Sequence, residues 1–196
     1  MTFFAAAVLV AATVGVITAE QETIEELLTR ADAGDAEAQY SLARIYANGE
    51  GVPRNGVEAV RWFRLGADQG DADAQNGLGV MYATGRGVPQ DDAEAVGWYR
   101  LAADQGNGNA QFRLGGMYKD GKGVPQDDAE AVRWYRLAAD QGHGNAMFTL
   151  GAIYAGGEGV LRDDTEAVRW YRLAAEQGFD LALSNLGFLY FERADY

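Results

Sequence analysis

The four tryptophans of this chain, Trp62, Trp98, Trp134 and Trp170, stand 36 residues apart. Leu42, Leu78, Leu114, Leu150 and Leu186 keep the same interval, as do Tyr46, Tyr82, Tyr118, Tyr154 and Tyr190. So do Gly70, Gly106, Gly142 and Gly178, and no insertion interrupts the register. An unbroken period of this length calls for one supersecondary unit, copied and stacked, because a single unit cannot bury its own apolar face.

Residues 71–106 show what each position does. Ala74, Leu78, Met81 and Tyr82 fall at helical spacing, which predicts a helix A from Asp73 to Ala83. Gly85 fits a left-handed C-terminal cap and Gly87 a second turn position before Val88-Pro89. No strand precedes this GxG and no third glycine follows at dinucleotide spacing, so it is turn chemistry and not a phosphate cradle. Helix B is expected from Asp92 to Asp104, with Ala95, Trp98, Tyr99 and Ala102 as its packing stripe. Asp91/Glu94, Asp127/Glu130, Asp163/Glu166 and the variant Asn55/Glu58 stand in capping-box spacing. A helix N-terminus favours such carboxylates without any catalytic role.

The expected fold is therefore an all-α solenoid of 36-residue helix-loop-helix repeats. Four full units, 35–70, 71–106, 107–142 and 143–178, lie between an N-terminal capping helix (20–34) and a half-unit (179–190), followed by a tail (191–196). In the capping helix Glu26 takes the tryptophan's place, as an outer, solvated helix requires. Asp180 to Tyr190 reads as a last helix A.

Composition excludes more than it assigns. The net charge of −13, with 16 scattered basic residues, argues against nucleic acid as a partner. No cysteine is present, which removes disulfides, thiolate metal sites and cysteine nucleophiles. His143 is the single histidine and sits in an inter-repeat turn, where it reads as a turn or cap residue. No nucleophile elbow, P-loop or HExxH occurs, and no cofactor, metal site or enzyme activity is expected.

Residues 1–19, MTFFAAAVLVAATVGVITA, carry no charged side chain and read as a signal peptide, although no basic residue precedes the apolar run. That places the protein in the periplasm or outside the cell, with no membrane contact after cleavage. The alternative is an uncleaved segment anchoring it in the inner membrane.

The repeated residues Ala74, Leu78-Gly79, Tyr82, Gly85-Arg86-Gly87-Val88, Ala95, Trp98, Ala102-Ala103 and Gly106 resemble the motif of the Sel-one-like repeat family, a relative of the tetratricopeptide repeats. The likeness runs from about Asp35 to Tyr190. It implies a right-handed α/α superhelix that serves as a protein-interaction scaffold or adaptor, in exported bacterial members commonly in the envelope. A cysteine-rich branch is associated with β-lactam binding; lacking cysteine, this chain does not inherit that activity.

Positions that vary between the units are free to serve a partner. One helix-A column reads Tyr40, Asn76, Phe112, Phe148 and Ser184, and columns four and eight residues on share its face. Stacked helices A would make these a continuous concave surface for a protein or peptide. Tyr40, Arg44, Asn76, Phe112, Lys119, Asp120 and Phe148 are the candidates. A second candidate is the last helix, where Phe188, Leu189 and Phe191 are expected to leave apolar surface for self-association, as in a self-assembling envelope component.

Overall fold

A computed structural model describes residues 23–194, which form ten α-helices and no strand. They are α1 (Ile24–Asp32), α2 (Ala36–Asn48), α3 (Gly56–Asp68), α4 (Ala72–Thr84), α5 (Asp92–Asp104), α6 (Gly108–Asp120), α7 (Asp128–Asp140), α8 (Gly144–Gly156), α9 (Asp164–Glu176) and α10 (Asp180–Ala194). Even-numbered helices are helices A and odd-numbered ones helices B. Packing runs between helices adjacent in the chain, with α2 also touching α4, so the fold is an all-α solenoid. The apolar run 1–19 lies outside the described residues.

Helix α5 spans the expected residues, and α4 is one residue longer at each end than expected. Gly85 ends α4 in the left-handed conformation (φ 66°), its N–H directed at the Met81 and Tyr82 carbonyls. The second glycine of the loop does more than turn. A Cβ at Gly123 would stand 2.2 Å from the Asp92 carbonyl oxygen, and one at Gly87 would stand 2.1 Å from that of Gly56. Each loop thus lies directly on the first turn of the preceding unit's helix B.

The capping boxes are only half made in the helices B of the full units. Asp91 Oδ1 accepts from the Ala93 and Glu94 N–H groups, both at 3.0 Å. Its own N–H, however, already donates to the Tyr82 carbonyl (3.1 Å), and Asn55, Asp127 and Asp163 do likewise to Tyr46, Tyr118 and Tyr154. The glutamates are therefore not needed there. Glu58, Glu130 and Glu166 turn forward and pair with Arg61, Arg133 and Arg169 at 3.1, 3.0 and 3.3 Å. In α1 Thr23 and Glu26 do form the full box, which gives Glu26 its role in place of a tryptophan.

The interior is built from alanines against aromatics. Trp62, Trp134 and Trp170 are buried, while Trp98 is only half-buried. Truncating a core tryptophan costs about 3–5 kcal/mol, so these rings hold each unit together. Gly79, Gly115 and Gly151 face the rings of Tyr99, Tyr135 and Tyr171 so closely that a Cβ would fall 2.6–2.8 Å from ring carbons. Arg64, Arg100 and Arg136 donate to the hydroxyls of Tyr82, Tyr118 and Tyr154, and Arg172 to that of Tyr190 at 2.5 Å. Each such pair ties a helix B to the helix A that follows.

Helix α10 continues past Tyr190 to Ala194, so residues 191–194 are helical and not a tail. Leu189 is buried (3% exposed), contrary to the expectation that it would be uncovered. It is the 36-residue counterpart of Ile153 and, two units back, of Met117, both of which are buried. Phe188 and Phe191 remain 62% and 66% exposed.

Candidate functional site

The aromatics of the variable column are half-buried wedges rather than free anchors. The Phe112 ring is tilted against Tyr135 (5.5 Å between centroids) and stacked on His143 (4.8 Å). Phe148 is tilted against Tyr171 (5.7 Å) and stacked on Phe179 (6.4 Å). Tyr40 meets Phe63 at 6.1 Å, with the Arg44 guanidinium 5.7 Å from its ring. Each wedge touches the helix B of its own unit, and Phe112 and Phe148 also reach the start of the next helix A. Asn76, in the same column, is half-buried and its Oδ1 has no hydrogen-bond partner. Lys119 pairs with Glu158 (2.9 Å) in the loop of the following unit, and Asp120 with Lys122 (2.8 Å).

Phe112 and Asp120 come together at a cleft of about 350 Å³, whose other walls include Tyr99, Arg113, Gly116 and Lys122. Asn76, Phe148, Tyr40, Arg44 and Lys119 lie outside it. A second cleft of about 190 Å³ is lined by Ala155, Tyr171, Asn185, Phe188 and Leu189. Tyr171, Asn185 and Phe188 are the counterparts, 72 residues on, of Tyr99, Arg113 and Gly116. The same cleft therefore recurs with a tyrosine in common and different walls.

That tyrosine is not a proton carrier near neutral pH. Burial pushes the Tyr99 and Tyr171 phenols up, and that of Tyr135 to about 12. His143 is the N-cap of α8: its Nδ1 accepts from the Ala146 N–H (3.3 Å), and its Nε2 lies 3.2 Å from Asn109 Oδ1. With Nδ1 accepting, the proton sits on Nε2 and points at Asn109, so both ring nitrogens are committed to structure. Among the described residues no group of three His, Cys, Asp or Glu side chains is placed to hold a metal ion. No helix among them is long and apolar enough to cross a membrane.

Two cleft residues, Tyr99 and Arg113, escape a column-by-column reading. Tyr99 looks like core, since Phe63, Tyr135 and Tyr171 share its column. Arg113 stands beside a candidate position in a column that also varies, Ser41, Gly77, Arg113, Thr149 and Asn185, whereas Gly116 lies in the Arg44 column of the expected face. That variation was the available signal.

The helices, their 36-residue period and their neighbour-to-neighbour packing define an α-helical repeat solenoid. The Sel1 repeat model matches residues 36–71, 72–107, 108–143 and 144–179, and the chain belongs to the Sel1 repeat family. It is similar to a protective antigen of uropathogenic Escherichia coli strains that displays an SLR fold, at 43% identity and a TM-score of 0.83 over 87% of this chain. It also resembles a Sel1 repeat protein from Oxalobacter formigenes, at 35% identity and a TM-score of 0.78 over 85% of this chain. The chain spans 36% of the length of the first and 66% of the second. The cysteine-rich protein B of Helicobacter pylori shares the fold, at 20% identity and a TM-score of 0.54 over 66% of this chain and 92% of its own. No curated protein matches the chain.

Proposed function

We propose that this protein is a non-catalytic interaction scaffold that binds a protein or peptide along its helix-A face. Tyr40, Arg44, Asn76, Phe112, Lys119, Asp120 and Phe148 line or flank the path of that ligand. The observation that carries this reading is the recurrence of one cleft, about 350 Å³ at Tyr99 and about 190 Å³ at Tyr171. A fixed tyrosine framed by variable side chains suits selection of successive side chains along an extended segment. The apolar run 1–19 supports export to the periplasm or beyond as the setting.

Blocking the face without disturbing the core tests this. A Cβ at Gly116 would meet only the Tyr135 hydroxyl, at 3.7 Å, and Ala152 is exposed. Peptides selected from a displayed random library are expected to bind Gly116→Arg and Ala152→Arg at least tenfold more weakly than the wild type by calorimetry. Unchanged affinity in both variants would contradict the reading.

A second reading, self-assembly through α10, is favoured by the exposure of Leu183, Phe188 and Phe191 (57%, 62% and 66%). It predicts a concentration-dependent mass in light scattering that Phe188→Ser/Phe191→Ser lowers to that of the monomer. A single monomeric mass at all concentrations rejects it.

A further inference from the structure

We propose that Trp98 and Glu94 on α5 form a vacant seat for an arginine side chain supplied by a partner protein. The other three units occupy the same seat themselves. The guanidinium groups of Arg61, Arg133 and Arg169 lie 4.5, 4.3 and 4.8 Å from the ring centroids of Trp62, Trp134 and Trp170. Each is held there by the glutamate three residues earlier: Glu58, Glu130 or Glu166. The seat has two walls, an indole face and a carboxylate, and both attract a planar cation.

In α5 both walls remain and the occupant is gone. Gly97 stands where the other units carry arginine, and a Cβ there would meet nothing within 4 Å. Trp98 is the one tryptophan left half-buried, and Glu94 is exposed where Glu58, Glu130 and Glu166 are half-buried. Glu94 has no ion pair among the described residues. Arg100, the single basic residue of α5, is engaged by the Tyr118 hydroxyl. Packing does not ask for a glycine at this point, and glycine in an exposed helix interior weakens the helix.

Charge selects the occupant. The protein carries a net charge of −13, so a basic partner surface is drawn toward it, and a guanidinium satisfies ring and carboxylate together. Leu101, half exposed one turn further on, gives the methylenes of that side chain an apolar footing. The seat shares α5 with the cleft at Tyr99, but neither Glu94 nor Trp98 lines that cleft, so it stands independently of the function proposed for it.

The test uses the whole protein with 15N-labelled indoles and acetyl-arginine-amide as the probe. Acetyl-citrulline-amide, equal in shape and uncharged, is the control, and Trp98→Phe assigns the resonance. The arginine probe is expected to move the Trp98 Nε1–H peak alone, with a shift at least threefold larger than citrulline produces. Gly97→Arg, which copies the other three units, is expected to abolish the response, and Gly97→Ala to keep it. Equal shifts from the two probes, movement of all four indoles or of none, or an undiminished response in Gly97→Arg would overturn the proposal.

Discussion

Gln105 Nε2 donates to Gln75 Oε1 across 2.8 Å, and Gln75 Nε2 in turn donates to the Ala67 carbonyl at 3.2 Å. The pair links the end of one helix B to the following helix A and to the end of that unit's own helix B. The Ala67 carbonyl also accepts from the Gly70 N–H at 3.0 Å, so the glutamine adds a second bond at a helix end. Gln69 with Gln39 and Gln141 with Gln111 repeat it at 2.7 Å, and Gln39, Gln75 and Gln111 are the buried polar side chains of the described fold.

Replacing this amide breaks both hydrogen bonds, each worth about 0.5–1.5 kcal/mol. Gln75→Leu is expected to lower stability by about 1–3 kcal/mol, read from the denaturant midpoint. Gln75→Met should lose less. In the fourth unit Met147 holds that position, and Gln177 Nε2 donates to the Gly142 carbonyl at 2.9 Å instead. Equal losses in the two variants would show that this alternative bond is closed to Gln105.

The two glycines of a loop are expected to differ in tolerance. At Gly121 (φ 65°) an alanine comes no closer than 3.2 Å to its neighbour, Gln126, and meets chiefly the left-handed conformation, a penalty of roughly 1–2 kcal/mol. At Gly123 (φ 68°) the same Cβ strikes the Asp92 backbone and forces two units apart. Thermal unfolding should therefore rank Gly123→Ala well below Gly121→Ala.

Adjacent glycines of α6 give opposite signs. Gly115→Ala drives a Cβ to 2.8 Å from two Tyr135 ring carbons and to 3.2 Å from the Ala131 carbonyl. Overpacking of this kind costs about 1–3 kcal/mol. Gly116 has room, so Gly116→Ala should raise stability by about 0.5–1 kcal/mol through helix propensity. Calorimetric melting of the two variants measures both.

Burial holds the His143 imidazole below its ordinary pKa, and the nearby Arg113 charge lowers it further. The folded state thus binds a proton less readily than the unfolded chain, whose histidine titrates near about 6.5. The contribution of His143 is complete above that value and is lost as pH falls through it to the depressed folded value. Protonation also removes Nδ1 as acceptor for Ala146. In α6 Asn107 makes the same cap, accepting from the Ala110 N–H at 2.9 Å. The stability difference between wild type and His143→Asn is therefore expected to shift against the wild type below about pH 6.5. A difference independent of pH would contradict this role.

The sequence made the repeat legible because tryptophan, leucine, tyrosine and glycine recur where the packing of every unit demands them. It was less informative wherever a partner comes from another element. Glu58, Glu130 and Glu166 have capping-box spacing, but the Tyr46, Tyr118 and Tyr154 carbonyls have already taken the N–H groups they would cap. Leu189 sits in a segment that looks uncovered, yet its counterparts Met117 and Ile153 mark a core position. Phe112 and Phe148 were visible as variable aromatics, but their contacts with Tyr135 and Tyr171 come from a different helix. The cleft itself needs several elements at once, and no single column of residues encodes it. The glutamines Gln39, Gln75 and Gln111 were readable and carried a signal, a polar residue recurring inside an apolar face.

Site-specific photocrosslinking in the native host tests the central claim most directly, with benzoylphenylalanine placed at Gly116 and Ala152 on the helix-A face and at Leu65 and Leu137 on helices B. A discrete protein adduct is expected from positions 116 and 152. Adducts from 65 and 137 alone would contradict it.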